Sequence, residues 1–391
     1  MQELKRIINY KRIILLLIAV TVNVVFFLYD NKPVMDEDII NKENVAHETY
    51  IKNYHEEVNA IIDNADKLKK YSIFNKAGSF SYANILQTAR DFERVKNVIL
   101  PEDEYKGVQA YTTYYYQYFF TMLVMMFVIY DMFAQRDNGM WSITYSCANG
   151  RIMYAIKQTG VIVVTGAFTH TLIYWSTFIA AMLQRGGVRD LVNPVQTIET
   201  FDKFTYPWSK IKYVTVLYLI SMVCIVALCI TIWGVFVMFR NRVYALVTML
   251  IFAAVEQFIY SHIDIHSVWN GLHYINIINI ININATFSSY RNWGVGTYVF
   301  PVFSVVLFVH IICAGVIGYI AINVSASMKP YKNTTFIKRF TDCVSAGCQK
   351  ILARIPFLFK EIHKFIFTSH CGWVVVVMPV SYTHLRAHET A

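Results

Sequence analysis

The sequence predicts an all-α polytopic membrane protein with six transmembrane helices, an extracellular helical hairpin and a partial seventh span. Three observations carry this. Hydrophobic residues make up 56% of the 391 residues and charged residues only 16%, where soluble chains carry about 25% charged residues. The deficit is concentrated in runs, of which Ile13–Tyr29 has no charge across 17 residues. Basic residues gather at alternate ends of those runs, the pattern of cytoplasmic loops. So much apolar and aromatic side chain must be buried, which excludes disorder for most of the chain. Runs long enough to cross a bilayer exclude a single soluble globule.

The first element spans residues 1–29. Lys5, Arg6, Lys11 and Arg12 precede the apolar run. The arrangement imitates a signal peptide, but the run is long for one and ends in Leu28-Tyr29-Asp30, with no small-residue cleavage site. It reads as an uncleaved first span with a cytoplasmic N-terminus.

Residues 30–111 follow as the extracellular hairpin. Asp30–Ala110 holds 15 acidic and 11 basic residues, a net charge of −4, against +13 for the remainder of a chain whose total is +9. None of the seven cysteines lies there, so the segment folds without disulfides. Ile51, Tyr54, Val58, Ile61, Ala65 and Leu68 recur at helical spacing and form an apolar seam. Tyr82, Ile85, Ala89, Phe92 and Ile99 form a second, and Tyr71–Ser81 reads as the turn between them. The segment is a structural cap on the membrane domain or a ligand sensor.

Residues 112–323 are read as a five-span membrane domain. Its spans are Thr112–Phe133, Gly160–Leu183, Tyr213–Phe239, Val243–Tyr260 and Tyr298–Ile322. Tyr111, Tyr114, Tyr115, Tyr116 and Tyr118 at the entrance of the second span suit an aromatic belt at headgroup level. Arg136, Arg151 and Lys157 mark a cytoplasmic loop over residues 134–158, and Arg240-Asn241-Arg242 marks a second cytoplasmic turn. The outer segment 262–297 is apolar yet asparagine-rich, with Asn276, Asn279, Asn282 and Asn284 among isoleucines. Re-entrant or interfacial helices packed against protein fit that composition.

The remaining residues divide into a basic cytoplasmic linker, 324–364, the start of a further span, 365–380, and a tail, 381–391. Glu361-Ile362-His363-Lys364 precedes the last apolar run much as Glu3-Leu4-Lys5-Arg6 precedes the first, the mark of a second, repeated half. The tail resembles translated sequencing-adapter read-through, so a non-native end on a longer natural chain is expected.

Chemistry is sparse. The chain has no Gly-x-x-x-x-Gly-Lys-Ser/Thr phosphate loop, no His-Glu-x-x-His, no Gly-x-Ser-x-Gly and no Gly-x-Gly-x-x-Gly. His262 and His266 are four apart around Asp264 but lack further ligands, so polar loop residues are the better reading and no metal or cofactor is expected. The basic excess belongs to membrane topology, and no nucleic-acid partner is expected. Catalytic residues are not expected either. Glu256 is the intramembrane polar candidate, either a pathway residue or a carboxylate reaching outer water. His170 and His310 read as packing and hydrogen-bonding groups within spans.

The strongest local signal is Asp131-Met132-Phe133-Ala134-Gln135-Arg136-Asp137-Asn138-Gly139-Met140-Trp141, continuing to Gly150-Arg151 and Lys157. Here the chain resembles the permease subunits of type-two ABC exporters from Gram-positive bacteria, over roughly residues 1–323. Asp137, Gly139, Gly150, Arg151 and Lys157 match the order of an acidic residue, a glycine, a Gly-Arg pair and a lysine in that family, with Asp137 standing where a glutamate is usual. The resemblance implies a coupling helix that docks on a separate ABC ATPase subunit, with Trp141 among its contacts. It further implies a second permease half or a homodimer as partner within the lipid bilayer. Met140–Tyr154 is expected to form that short amphipathic helix. The rival reading is a membrane sensor or assembly protein whose extracellular helical hairpin binds a ligand.

Overall fold

A computed structural model describes residues 10–33, 36–71, 78–101, 106–137, 150–239, 241–263 and 269–327. Of the linker expected over 324–364, residues 324–327 continue the last helix, and the rest of it, the further span and the tail lie outside the described residues. The protein is an all-α polytopic membrane protein. Among the described residues, six helices are long and apolar enough to cross a bilayer: Arg12–Asp30, Tyr116–Ala134, Arg151–Arg185, Lys210–Met238, Arg242–His262 and Val302–Ser327.

Helix α1 (Tyr10–Asp30) buries Asn23 and Phe27, one turn apart, and leaves its other described apolar side chains partly or fully exposed. A largely apolar helix with so narrow a buried face suits a hydrocarbon solvent. Helix α2 (Glu37–Leu68) starts at Asp36, whose carboxylate accepts from the backbone of Asp38 at 3.0 Å and Ile39 at 3.4 Å. Glu37 and Asp38 in its first turn and Lys67 in its last complement the helix dipole. Helix α3 (Phe80–Glu93) is capped by Ser79. The two pack side by side around Tyr50, Tyr54, Val58, Ile62, Phe92 and Val95.

That core shifts two positions of the first seam by one residue and removes the last member of each seam. Tyr50 and Ile62 are buried where Ile51 and Ile61 are only partly covered, and Leu68 is exposed. Ile99 lies past the end of α3 and is 82% exposed. Over α2's length the 3.6-residue period drifts against a strict 3-4 repeat, which rotates the buried stripe.

Helix α4 (Gly107–Thr113) ends at Tyr114, whose extended backbone separates it from α5 (Tyr116–Asp137). Helix α6 (Gly150–Arg185) starts ten residues earlier than the span read from sequence. Its 36 residues extend about 54 Å at 1.5 Å each, well beyond a bilayer core of about 30 Å. Gly150–Tyr154 are therefore the first turns of a spanning helix rather than the end of a separate short one. Residues 138–149 lie outside the described part of the expected coupling loop.

Three single 3₁₀ turns between Arg189 and Phe201 lead to α7 (Lys210–Met238), capped by Ser209. Helix α7 is the centre of the bundle and packs on α5, α6, α8 (Arg242–His262) and α12 (Val302–Ser327). The asparagine-rich segment forms three short helices, α9 (Asn270–Ile275), α10 (Ile278–Ile281) and α11 (Ile283–Ser288).

A second correction follows. The last span does not begin at Tyr298. Strands β1 (Asn292–Val295) and β2 (Tyr298–Pro301) pair antiparallel across Gly296-Thr297, with Val295 opposite Tyr298. Gly296 has φ +63°, which a two-residue hairpin turn requires and glycine adopts freely. This ribbon sits against α3, close enough that a β-carbon on Gly294 would overlap the Phe80 ring.

Candidate functional site

The helices meet in a thread of buried polar and aromatic groups. Asn23 on α1 donates from Nδ2 to Thr177 Oγ1 on α6 at 2.7 Å. It receives the Tyr114 hydroxyl on Oδ1 at 3.0 Å. The break between α4 and α5 thus places Tyr114 against α1. Further into the bundle, Tyr174 Oη donates to the Val214 carbonyl at 2.7 Å. Tyr213 Oη donates to Asn284 Oδ1 at 2.6 Å, and Asn284 Nδ2 donates to the Thr112 carbonyl at 2.7 Å. One α11 side chain therefore bridges α4 and α7 above the thread.

His170 lies at the inner end. Its ring is stacked with Tyr118 and Tyr218, each with centroids 5.9 Å away. His170 Nε2 is 2.8 Å from Ser221 Oγ, which itself donates to the Tyr218 carbonyl at 3.0 Å. With the Ser221 hydrogen on the Tyr218 carbonyl, His170 Nε2 carries the proton and Nδ1 holds a lone pair. Deeper still, apolar side chains are buried, among them Met125, Ile129, Ile162 and Leu228.

The tyrosine belt expected at the entrance of α5 is therefore overturned for three of its members. Tyr111, Tyr114 and Tyr118 are at most 2% exposed and face protein. A tyrosine at headgroup depth can point to lipid or into the bundle, and depth does not decide between them. The sequence reading missed this site. The available signal was Asn23, Gln117, Thr121, His170, Thr177 and Ser221, polar side chains inside apolar runs.

Glu256 lies in the last two turns of α8 and anchors the asparagine-rich segment. Its Oε2 accepts from the Ile277 backbone N–H at 3.0 Å, and its carbonyl accepts from Asn276 Nδ2 at 2.7 Å. The first turn of α10 offers unsatisfied N–H groups, and the carboxylate takes one. Beside this anchor an open cleft is lined by Tyr260, Asn282, Thr286, Ser289 and Arg291.

The hairpin joins the bundle through a polar cluster. Asp91 accepts from Gln87 Nε2 at 2.9 Å and from Tyr290 Oη at 3.0 Å, and pairs with Arg94 at 3.1 Å. Asn292 donates to Asn84 at 2.9 Å. Burial, more than its hydrogen bonds or the Asp91 charge, pushes the Tyr290 phenol up to about 12.

The residues expected to couple lie at the opposite end. Asp137 is the last residue of α5, and Gly150 the first of α6. Arg151 is half-buried and Lys157 exposed on α6. Gly139 and Trp141 lie outside the described residues. Arg12 and Asp131 pair at this end, tying α1 to α5 with Nε to Oδ2 at 3.0 Å. The Arg242 guanidinium sits 4.5 Å from the centre of the Tyr130 ring. Among the described residues no group of three or more His, Cys, Asp or Glu side chains could hold a metal. His262 stacks on Phe258, while Asp264 and His266 lie outside the described residues.

Fold and site together define a multi-pass membrane protein. Comparison with family models, curated proteins and solved structures found no match.

Proposed function

We propose that this chain is the membrane-spanning permease subunit of an ABC exporter in the cell membrane. A separate ABC ATPase subunit drives it, and a second permease half or a homodimer partner completes the pathway. The N-terminus is cytoplasmic and the hairpin extracellular. One observation supports this reading above others. The end of the bundle opposite the hairpin carries Arg12, Arg151, Lys157 and Arg242 around the α5–α6 connection, and that connection holds the Asp137-to-Lys157 run on which the family resemblance rests. Arginine and aromatic side chains commonly anchor protein contacts, and basic ends favour the cytoplasmic side. The test is Arg151→Glu and Trp141→Ala. Both are expected to leave expression intact, lower co-purification of the ATPase and abolish transport-stimulated ATP hydrolysis. Full association and turnover in both variants would remove the coupling assignment.

A second reading, a membrane sensor with a ligand-binding hairpin, draws on a different observation. Helix α3 docks on the ribbon that runs directly into α12. A neighbouring ATPase gene favours the first reading, and a neighbouring kinase or response regulator the second.

A further inference from the structure

Around Tyr174, four buried polar atoms have no protein hydrogen-bond partner: Tyr111 Oη, Gln117 Oε1, Tyr118 Oη and His170 Nδ1. The four residues are each at most 2% exposed. Ring contacts join three of them into one place: Tyr111 to Tyr174 at 5.3 Å, Tyr174 to His170 at 5.5 Å and His170 to Tyr118 at 5.9 Å. Gln117, in the first turn of α5, is bonded on one side to Tyr114 and on the other to Thr121. Its amide donates to the Tyr114 carbonyl at 3.3 Å, and its backbone carbonyl receives Thr121 Oγ1 at 2.9 Å. Tyr111 Oη lies close to Gln117 and Tyr174, and Tyr118 Oη close to Ser221, without reaching hydrogen-bond geometry.

One orphaned polar atom in a core is tolerable. Each costs about 1–3 kcal/mol, and four together cost more than a bundle readily absorbs. The chemistry of the set specifies its complement. His170 Nδ1 and Gln117 Oε1 are acceptors, because the protons of His170 Nε2 and Gln117 Nε2 are already engaged. Tyr111 and Tyr118 bring hydroxyls that must donate. No carboxylate, lysine or arginine belongs to the set, so the partner is neutral, gives hydrogen bonds and receives them. Water donates twice and accepts twice, and buried water characteristically joins such groups.

We propose that the bundle holds a water cluster bridging Tyr111 Oη, Gln117 Oε1, Tyr118 Oη and His170 Nδ1. The Asn284 bridge closes the site toward the hairpin. The apolar side chains of Met125, Ile129, Ile162 and Leu228 close it toward the other end. The site is a hydrated pocket enclosed within the membrane domain. It stands whether or not the chain works with an ATPase.

The test is radiolytic hydroxyl-radical labelling of the full chain in lipid nanodiscs, where bound water is activated in place and oxidises the side chain beside it. Tyr111 and Tyr118 are expected to oxidise several-fold faster than Met125, despite the greater intrinsic reactivity of methionine. A second measurement uses Tyr118→Phe, which removes only a hydroxyl. It is expected to slow oxidation of Tyr111 and to lower the melting temperature by a few degrees, because the remaining groups lose a shared partner. Oxidation of both tyrosines no faster than Met125 overturns the proposal. So does an unchanged or raised melting temperature in Tyr118→Phe, the result for a hydroxyl with nothing to lose.

Discussion

Gly234 on α7 faces Ile317 and Ala321 of α12, and adding one methyl group there tests the packing directly. A β-carbon on Gly234 would overlap Ile317 Cγ2 outright, and would lie 3.5 Å from the Ile317 carbonyl oxygen and 3.7 Å from Ala321 Cβ. Carbon atoms prefer separations of about 3.5–4.0 Å, so the last two contacts are ordinary and the first is not. Rotation does not relieve it. Ile317 is β-branched within a helix, where one χ1 rotamer dominates, and Cγ2 is fixed to Cβ. The helices must therefore part, at an overpacking cost of about 1–3 kcal/mol. Replacing glycine within a helix returns about 1 kcal/mol of propensity. Gly234→Ala is then expected to lose up to about 2 kcal/mol.

Gly315 supplies the control, because a β-carbon there meets nothing within 4 Å. Gly315→Ala is expected to keep the propensity gain without the clash, and so to be neutral or stabilising. Thermal unfolding of both variants in one detergent measures the difference. The double variant Gly234→Ala, Ile317→Ala is expected to couple, because it removes the overlapping methyl. The reasoning fails if Gly234→Ala unfolds at the same temperature as Gly315→Ala, or if removing the Ile317 side chain leaves the Gly234→Ala deficit unchanged.

Other predictions concern single contacts. Tyr290 titrates near 12 rather than 10, so its contribution is fully present below pH 10 and is lost as pH rises through 12. The melting-temperature gap between wild type and Tyr290→Phe is therefore expected to narrow over that window, and a constant gap excludes the phenol as the cause. Glu256→Ala leaves the Ile277 N–H without its acceptor and is expected to cost about 1–3 kcal/mol. Glu256→Gln keeps an oxygen and is expected to cost less than half as much; equal losses by thermal unfolding rule the anchor out. In a cysteine-free background, an impermeant thiol reagent on intact cells is expected to label Ala60→Cys and to spare Gly150→Cys. The reverse pattern refutes the proposed orientation.

The six spans were legible because each is a predominantly apolar run of bilayer length, and length is a property of sequence alone. The hairpin was legible for a related reason, since Tyr54, Val58, Ala65, Ala89 and Phe92 repeat at helical spacing. The ribbon at residues 292–301 was not. Trp293, Val295, Val299 and Phe300 continue the hydrophobicity of α12, so the Gly296-Thr297 turn read as part of an approach to the span. The site was hidden by a different ambiguity. Tyr111, Tyr114 and Tyr118 lie at the depth expected of a belt, but which way they face depends on the backbone break at Tyr114. Nothing local announces that break, because Thr113-Tyr114-Tyr115-Tyr116 contains neither glycine nor proline. Glu256 was found as a residue but not as a contact, since its partner Ile277 is 21 positions away.

The hairpin is built into the bundle rather than tethered to it. On one side Tyr50 Oη donates to the Gln196 carbonyl at 2.8 Å. Gln196 in turn holds the carbonyls of Phe204 and Tyr206 at 3.0 and 2.7 Å, fixing the segment that leads into α7. On the other side Asp91, Asn84 and Phe80 hold Tyr290, Asn292 and Gly294, fixing the ribbon that leads into α12. The two anchors therefore sit on different helices of the hairpin and continue into different spans. A change in the angle between α2 and α3 moves the start of α7 relative to the start of α12. Those spans share the most extensive helix contact among the described residues, and it is held close by Gly234 and Gly318, where a β-carbon would stand 3.0 Å from Ile230 Cγ2. Close packing of small residues resists gradual deformation. A shift relayed through these two anchors bears on the α7–α12 seam, which Gly234→Ala would force apart.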